Sequence, residues 1–112
     1  MKLFLSGPMT GLPEFNYPEF RATAAYLRKH YPGDTIVCPT EHPPETLSAA
    51  LDWVGYMKLA IAKLLECDSI VMLDGWSSSP GAKVEWELAR RLGYAIYYKS
   101  DLIPGGTDND SV

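Results

Sequence analysis

Two hydrophobic periods alternate along this chain. Residues 2–6 form a short apolar run stopped by Gly7-Pro8, which predicts a buried strand. Residues 10–16, with Gly11 and Pro13, predict a loop. Between residues 18 and 31 the period becomes helical. Phe20, Ala24, Leu27 and Tyr31 share a face, Pro18 suits the first turn, and Pro32-Gly33-Asp34 stops the helix. Residues 35–38 predict a second strand closed by Pro39, and His42-Pro43-Pro44 predicts a loop. Residues 45–66 read as helical, with Gly55 as a candidate break. Residues 69–73 are apolar on both faces, as a central parallel strand is. A loop at 74–78, a helix at 79–92 and a strand at 94–98 follow.

Strand and helix therefore alternate four strands deep. That order predicts an α/β domain whose parallel sheet carries helices on both faces. In such sheets ligands bind beyond the carboxyl ends of the strands. The candidate loops are then residues 6–11 and 74–81. The domain is expected to span residues 1–99. The polar stretch 100–112, with Pro104-Gly105-Gly106, is expected to be loose or docked on a partner.

The helix at 79–92 carries an anomaly. Gly81, Glu85, Leu88 and Leu92 fall on one face, with Val84 and Ala89 beside them, while Lys83, Glu87, Arg90 and Arg91 fall opposite. The face that should be buried thus holds an acid near its centre. A buried carboxylate is costly unless hydrogen-bonded, and that cost is usually tolerated for chemistry or ligand binding. The plainer alternative is an acid pointing to solvent from the first turns, where it suits the helix dipole.

The two candidate loops add to this. Ser6-Gly7-Pro8-Met9-Thr10-Gly11 is a small-residue loop that a ligand can approach closely, or a plain turn. Asp74 either reaches the crevice to accept from a hydroxyl and exchange a proton, or forms an Asx turn with Gly75. Trp76 either stacks on a nucleobase or covers the core. Ser79 reads as an N-cap with Pro80 at the first helical position, and free amides there attract anions such as phosphate. Phe15 and Tyr17 lie where a lid would. Two acids, an anion cradle and aromatics fit chemistry at a glycosidic carbon.

Composition narrows the classes. The chain has 112 residues, 46% hydrophobic and 21% charged, which suits one small globular domain. A net charge of -4 argues against general nucleic-acid binding. Cys38 and Cys67 form no CxxC pattern; free thiols or one disulfide are the two readings. His30 and His42 lack partners at ligand spacing, so no metal site is expected. Residues 1–5 are too short for a signal peptide and no run spans a membrane; a cytoplasmic location is expected. Trp53, Tyr56 and Met57, close together in one helix, predict burial against a second copy, as a homodimer or larger, or within the monomer core.

Three stretches together resemble a known family: Ser6-Gly7-Pro8-Met9-Thr10-Gly11, then Cys67-Asp68-Ser69-Ile70-Val71-Met72-Leu73-Asp74-Gly75-Trp76, then Ser79-x-Gly81-x-x-x-Glu85-x-x-x-Ala89. They look like the nucleoside 2-deoxyribosyltransferase superfamily, most closely its small DUF4406 branch, over about residues 2–98. The resemblance implies a flavodoxin-like three-layer sandwich with a parallel four- or five-stranded sheet, no cofactor, and a homo-oligomer. It implies Glu85 as the nucleophile at the anomeric carbon and Asp74 at the base or sugar. The expected substrate-binding residues are Ser6, Gly7, Pro8, Met9, Gly75, Trp76, Ser79 and Gly81.

Three positions depart from the family pattern. Phe4 stands where a tyrosine orients the Glu, Ser79 where the transferases have Asp, and Ala60 where the branch tends to have Asp. The Ser resembles the nucleotide hydrolases, which implies a 5′-phosphate on the substrate. The expected function is hydrolysis of the base–sugar bond of a (deoxy)nucleoside 5′-monophosphate. Base exchange by a deoxyribosyltransferase is the alternative. Phe4 and Ala60 support a third reading, a nucleotide-binding module without turnover, and a purely structural role is a fourth.

Overall fold

A computed structural model of the chain describes residues 1–41 and 53–104. Four strands, β1 (Lys2–Ser6), β2 (Thr35–Val37), β3 (Ser69–Met72) and β4 (Ala95–Tyr98), form one sheet. Its order is β2-β1-β3-β4 and every pairing is parallel. The connecting helices are α1 (Tyr17–His30), α2 (Trp53–Leu64) and α3 (Pro80–Arg91), and a four-residue turn of helix, α4 (Lys99–Leu102), follows β4. This is an α/β sandwich of the flavodoxin-like kind.

Strand alternation sorts the core into two layers. Leu3, Leu5, Val71 and Leu73 point to one face and pack with Phe20, Ala24 and Leu27 of α1. Phe4, Ile70 and Met72 point to the other and pack with Ala60 and Leu64 of α2 and Ala82 and Ala89 of α3. All four residues of β3 are buried, as its two-sided apolar sequence predicts. Cys38 and Cys67 are both buried and free, and they belong to opposite layers.

The predicted elements match the observed ones to within a residue or two at most ends, with three differences. Residues 100–102, expected to begin a loose or partner-docked stretch, belong to α4, and Leu102 packs on the α1 layer of the core. The helix predicted from residue 45 runs from Trp53 among the described residues and passes through Gly55 without a break. Residues 45–52 and the His42-Pro43-Pro44 loop lie outside the described residues, as do 105–112. In α3 the buried stripe is Gly81, Ala82, Glu85 and Ala89, with Leu88 and Trp86 half-buried, whereas Val84 and Leu92 are exposed. Leu92 falls past the last helical turn. Gly93 follows at φ 79°, and the Tyr94 and Gly93 amides bond back to the Ala89 and Arg90 carbonyls in a Schellman cap.

The strand order places the crevice. β1 is flanked by β2 on one side and β3 on the other, so the chain leaves β1 and β3 in different directions. Gly7 lets the two exits approach closely. A Cβ built there would sit 2.8 Å from Leu73 Cβ, an atom fixed close to the backbone. Gly7→Ala is therefore expected to destabilise the fold by about 1–3 kcal/mol through overpacking. Urea unfolding of the two proteins measures it, and an unchanged midpoint would show that the β1 and β3 ends are free to part.

Candidate functional site

A cleft of about 1130 Å³ opens at the carboxyl end of β1, between Pro39 beyond β2 and the start of α3. Ser6 to Thr10 form its floor, and Ser78 to Ala82 with Glu85 form one side. Phe15 comes from the turn before α1, Tyr17 and Phe20 from the start of α1, and Trp53, Tyr56 and Met57 from α2. No Lys, Arg or His is among the described residues that line it.

Glu85 is brought inward by the way α3 begins. Ser79 caps the helix, its Oγ accepting from the Ala82 amide at 3.2 Å, and Pro80 fixes the first turn. On the outer face Glu87 pairs with Arg90 and Arg91, both at 2.7 Å, which keeps that side in water. Glu85, one turn on from Gly81, is then left 5% exposed on the inner face. Burial pushes its carboxyl up to about 7, and the Ser6 hydroxyl partly offsets this by donating to Oε1 at 2.5 Å. Oε2 has no hydrogen-bond partner among the described residues.

Ser6 is thus committed to Glu85 rather than to an open cradle, and is itself 1% exposed. It follows Phe4 on the same face of β1, so a β1 hydroxyl reaches the acid although Phe4 is apolar. Gly7, Pro8 and Met9 line the cleft, joined by Thr10. Ser79 and Gly81 line it too. Pro80 has no N–H, and the Ala82 and Lys83 amides are bonded to Ser79. The donors left at this helix start are the Ser78 and Ser79 hydroxyls and the Gly81 amide.

The other predicted residues lie elsewhere. Asp74 is exposed and sits 3.8 Å from Lys99 Nζ, which also pairs with Glu19. Gly75 turns the chain beside Pro8, and neither it nor Asp74 lines the cleft. Trp76 stacks on Trp86 with centroids 5.3 Å apart and tilts against Tyr98, on the α2/α3 layer of the core. Of its two readings, the core cover describes this position. Phe15 and Tyr17, 6.2 Å apart, stand at the cleft edge. The turn leading to them holds Glu14, Phe15 and Asn16 at φ 51°, 53° and 63°, a left-handed run secured by Asn16 Nδ2 donating to the Pro8 carbonyl at 3.0 Å. Such a run is strained, as lids and clamps often are.

Tyr56, Thr10 and Ser78 were not singled out as site residues by sequence. Met57 is buried within this chain and Tyr56 is half-buried at the cleft, while Trp53 is 50% exposed. Among the described residues no cluster of three or more His, Cys, Asp or Glu could hold a metal, and no helix is long and apolar enough to cross a membrane.

With the fold and cleft in view, the chain can be placed. It belongs to the DUF4406 family, a domain of unknown function whose sequence profile matches residues 1–98. It is also similar to a polynucleotide 5′-hydroxyl-kinase grc3 of Aspergillus oryzae (strain ATCC 42149 / RIB 40), 29% identical over 103 residues. That match covers 89% of this chain but 12% of the kinase, so the chain spans about one eighth of that protein's length.

The buried acid makes a stability prediction with a definite sign. Glu85 binds its proton at about 7 when folded and at 4.5 in its ordinary state. Below pH 4.5 it is neutral in both states. As pH rises through 7 the folded chain must hold a buried charge, so its stability falls. Glu85→Gln is expected to gain roughly 3 kcal/mol over wild type between pH 4 and pH 8. Urea unfolding at the two pH values checks this, and a gap that did not change with pH would mean that Glu85 titrates as an ordinary exposed acid.

Proposed function

We propose that this protein cleaves the N-glycosidic bond of a nucleoside 5′-monophosphate, with Glu85 as the nucleophile. One observation carries the reading: a cleft-lining carboxylate 95% shielded from solvent, anchored through one oxygen, whose other oxygen has no hydrogen-bond partner among the described residues. A structural acid would have both oxygens satisfied. The resemblance to the nucleoside 2-deoxyribosyltransferase superfamily supports the same assignment.

In this reading Glu85 Oε2 attacks the anomeric carbon. The carbon–nitrogen bond breaks, and its electron pair leaves with the base, which takes a proton from water. Water then attacks the glycosyl ester, returning Glu85 as a carboxylate and releasing the sugar phosphate. Transfer to a second base in place of water gives the deoxyribosyltransferase outcome. Asp74 takes no part, being exposed and beside Lys99. The phosphate is held by the Ser78 and Ser79 hydroxyls, the Gly81 amide and the positive end of the α3 dipole. Among the described residues no cation lines the cleft, so the phosphate adds modestly to binding. Nothing in this scheme calls for a cofactor. The aromatic side chains at the cleft edge suit a base.

A nucleotide-binding module without turnover is the second reading, and Phe4 and Ala60 favour it. Both are fully buried in one apolar cluster, where the resemblance implies a tyrosine and an aspartate. A chromatographic screen of nucleosides and monophosphates for free base separates the two. The first reading expects base release, lowered by several orders of magnitude in Glu85→Gln. Bound nucleotide with no released base supports the second.

The Ser79 position decides substrate class. Wild type is expected to prefer a monophosphate over its nucleoside by about tenfold, one charge-assisted hydrogen bond's worth. Ser79→Asp keeps the cap but repels phosphate, and is expected to reverse the preference. Relative kcat/KM for the matched pair measures it, and equal preference in both proteins would remove the phosphate from the proposal.

A further inference from the structure

Two properties of the cleft wall meet at the start of α3. The first is a buried acid, Glu85, 5% exposed and hydrogen-bonded to the Ser6 hydroxyl of β1. The second is a set of aromatic faces. A Cβ built at Gly81, one turn before Glu85, would sit 3.0 Å from Met57 Sδ and 3.6 Å from Trp53 Nε1. The glycine thus lets α2 lie against the first turn of α3 and sets the Trp53 indole one turn before the acid. Trp53 is itself 50% exposed. Tyr17 of α1 and Phe15 before it add two rings with centroids 6.2 Å apart. The Tyr17 ring already carries a cation, the Arg21 guanidinium, 5.5 Å from its centroid.

The leaving group supplies a second argument. A base departs from a sugar carbon with the electron pair of the broken bond. A neutral base then needs a proton, whereas a base that is already cationic is neutralised by that pair alone. Glu85 is the one acid among the described residues that line the cleft. Asp74 lies outside it beside Lys99. Burial holds the Tyr17 and Tyr56 phenols above their ordinary range, which makes them poorer proton donors.

We propose that the base taken by this cleft carries a positive charge, as an N-substituted pyridinium or an N-alkylated purine does, and is held between the Glu85 carboxylate and the faces of Trp53, Tyr17 and Phe15. Glu85 Oε2 bonds to the anomeric carbon, the carbon–nitrogen bond breaks, and its electron pair cancels the charge on the ring. The base leaves neutral and no proton moves in that step. Water then hydrolyses the glycosyl ester. This names a substrate class and so rests on the function proposed above; the binding of a cation does not. An opposite charge also offsets the cost of keeping Glu85 ionised in the interior. The groups that face Glu85 are neutral ones: Ser6 from β1, Tyr17 from α1 and Tyr56 from α2. On α3, Lys83, Arg90 and Arg91 are exposed, and Glu87 is paired with the two arginines.

The test begins with two ligands that have no glycosidic bond: 1-methylnicotinamide, a pyridinium cation, and nicotinamide, its neutral counterpart. NMR titrations give both dissociation constants, and amide dispersion reports that each variant keeps the fold. At pH 8 wild type is expected to bind the cation about tenfold tighter or more. At pH 5 the preference is expected to shrink, because Glu85 is then protonated. Glu85→Gln is expected to show the smaller preference at both pH values, and Trp53→Leu to lower it at both. Equal affinity for the two ligands at pH 8, or a preference unchanged in Glu85→Gln, overturns the proposal. Base release is then compared for nicotinamide mononucleotide and adenosine 5′-monophosphate. Nicotinamide release is expected, with kcat/KM rising through about pH 7 and flat above it. Release from adenosine monophosphate alone overturns the cationic substrate and leaves Glu85 as the nucleophile. No release from either, with the cation preference intact, removes the glycosidase function and leaves the cation site standing.

Discussion

The hydrogen bond from Ser6 to Glu85 joins the first strand to the third helix through the interior of the molecule. A carboxylate in that position disfavours its own charge, and one hydroxyl at 2.5 Å recovers part of the loss. Everything around the pair is arranged to keep it there. Ser79 and Pro80 set where α3 begins, Glu87 and its two arginines hold the outer face in water, and Ala82 and Ala89 seat the inner face on the sheet. A residue chosen for packing alone would be apolar at position 85. The fold instead holds a group that titrates near neutral pH.

The topology explains why the pair faces an opening. The strand order β2-β1-β3-β4 sends the chain to opposite sides after β1 and β3, which leaves an opening beyond the end of β1. Gly7 allows the ends of β1 and β3 to approach, within contact of Leu73. The β1 loop, the start of α1 and the face of α2 then complete the walls. Lys99 pairs with Glu19 of α1 and lies near Asp74 beyond β3, so one side chain links α1 to the end of β3.

Much of this could be read in the sequence, for physical reasons. Period and punctuation placed the strands and helices, because buried β3 must be apolar on both faces and Pro32-Gly33-Asp34 cannot continue a helix. The inward position of Glu85 followed from helical spacing, and Ser79-Pro80 identified the helix start. What the sequence concealed was side-chain direction at the loops. Asp74 and Trp76 follow β3 directly and looked like crevice residues, yet the left-handed turn at Gly75 carries Trp76 onto Trp86 and leaves Asp74 beside Lys99. Ser6 looked like part of a ligand cradle, whereas the strand continues through it and aims it at Glu85. Tyr56 looked like an assembly or core residue because helical spacing alone does not say which neighbouring helix a face meets. The stripe on α3 was displaced for a similar reason: Leu92 is past the cap, and small Ala82 and Ala89 do the packing that larger residues were expected to do.

The central claim is that Glu85 forms a bond to a sugar carbon. Intact-protein mass spectrometry after rapid acid quench of the protein with a panel of nucleoside 5′-monophosphates tests it most directly. The account predicts a transient adduct with the mass of the sugar phosphate, mapped by fragmentation to Glu85. Base release with no adduct on Glu85, or an adduct on another residue, would contradict it.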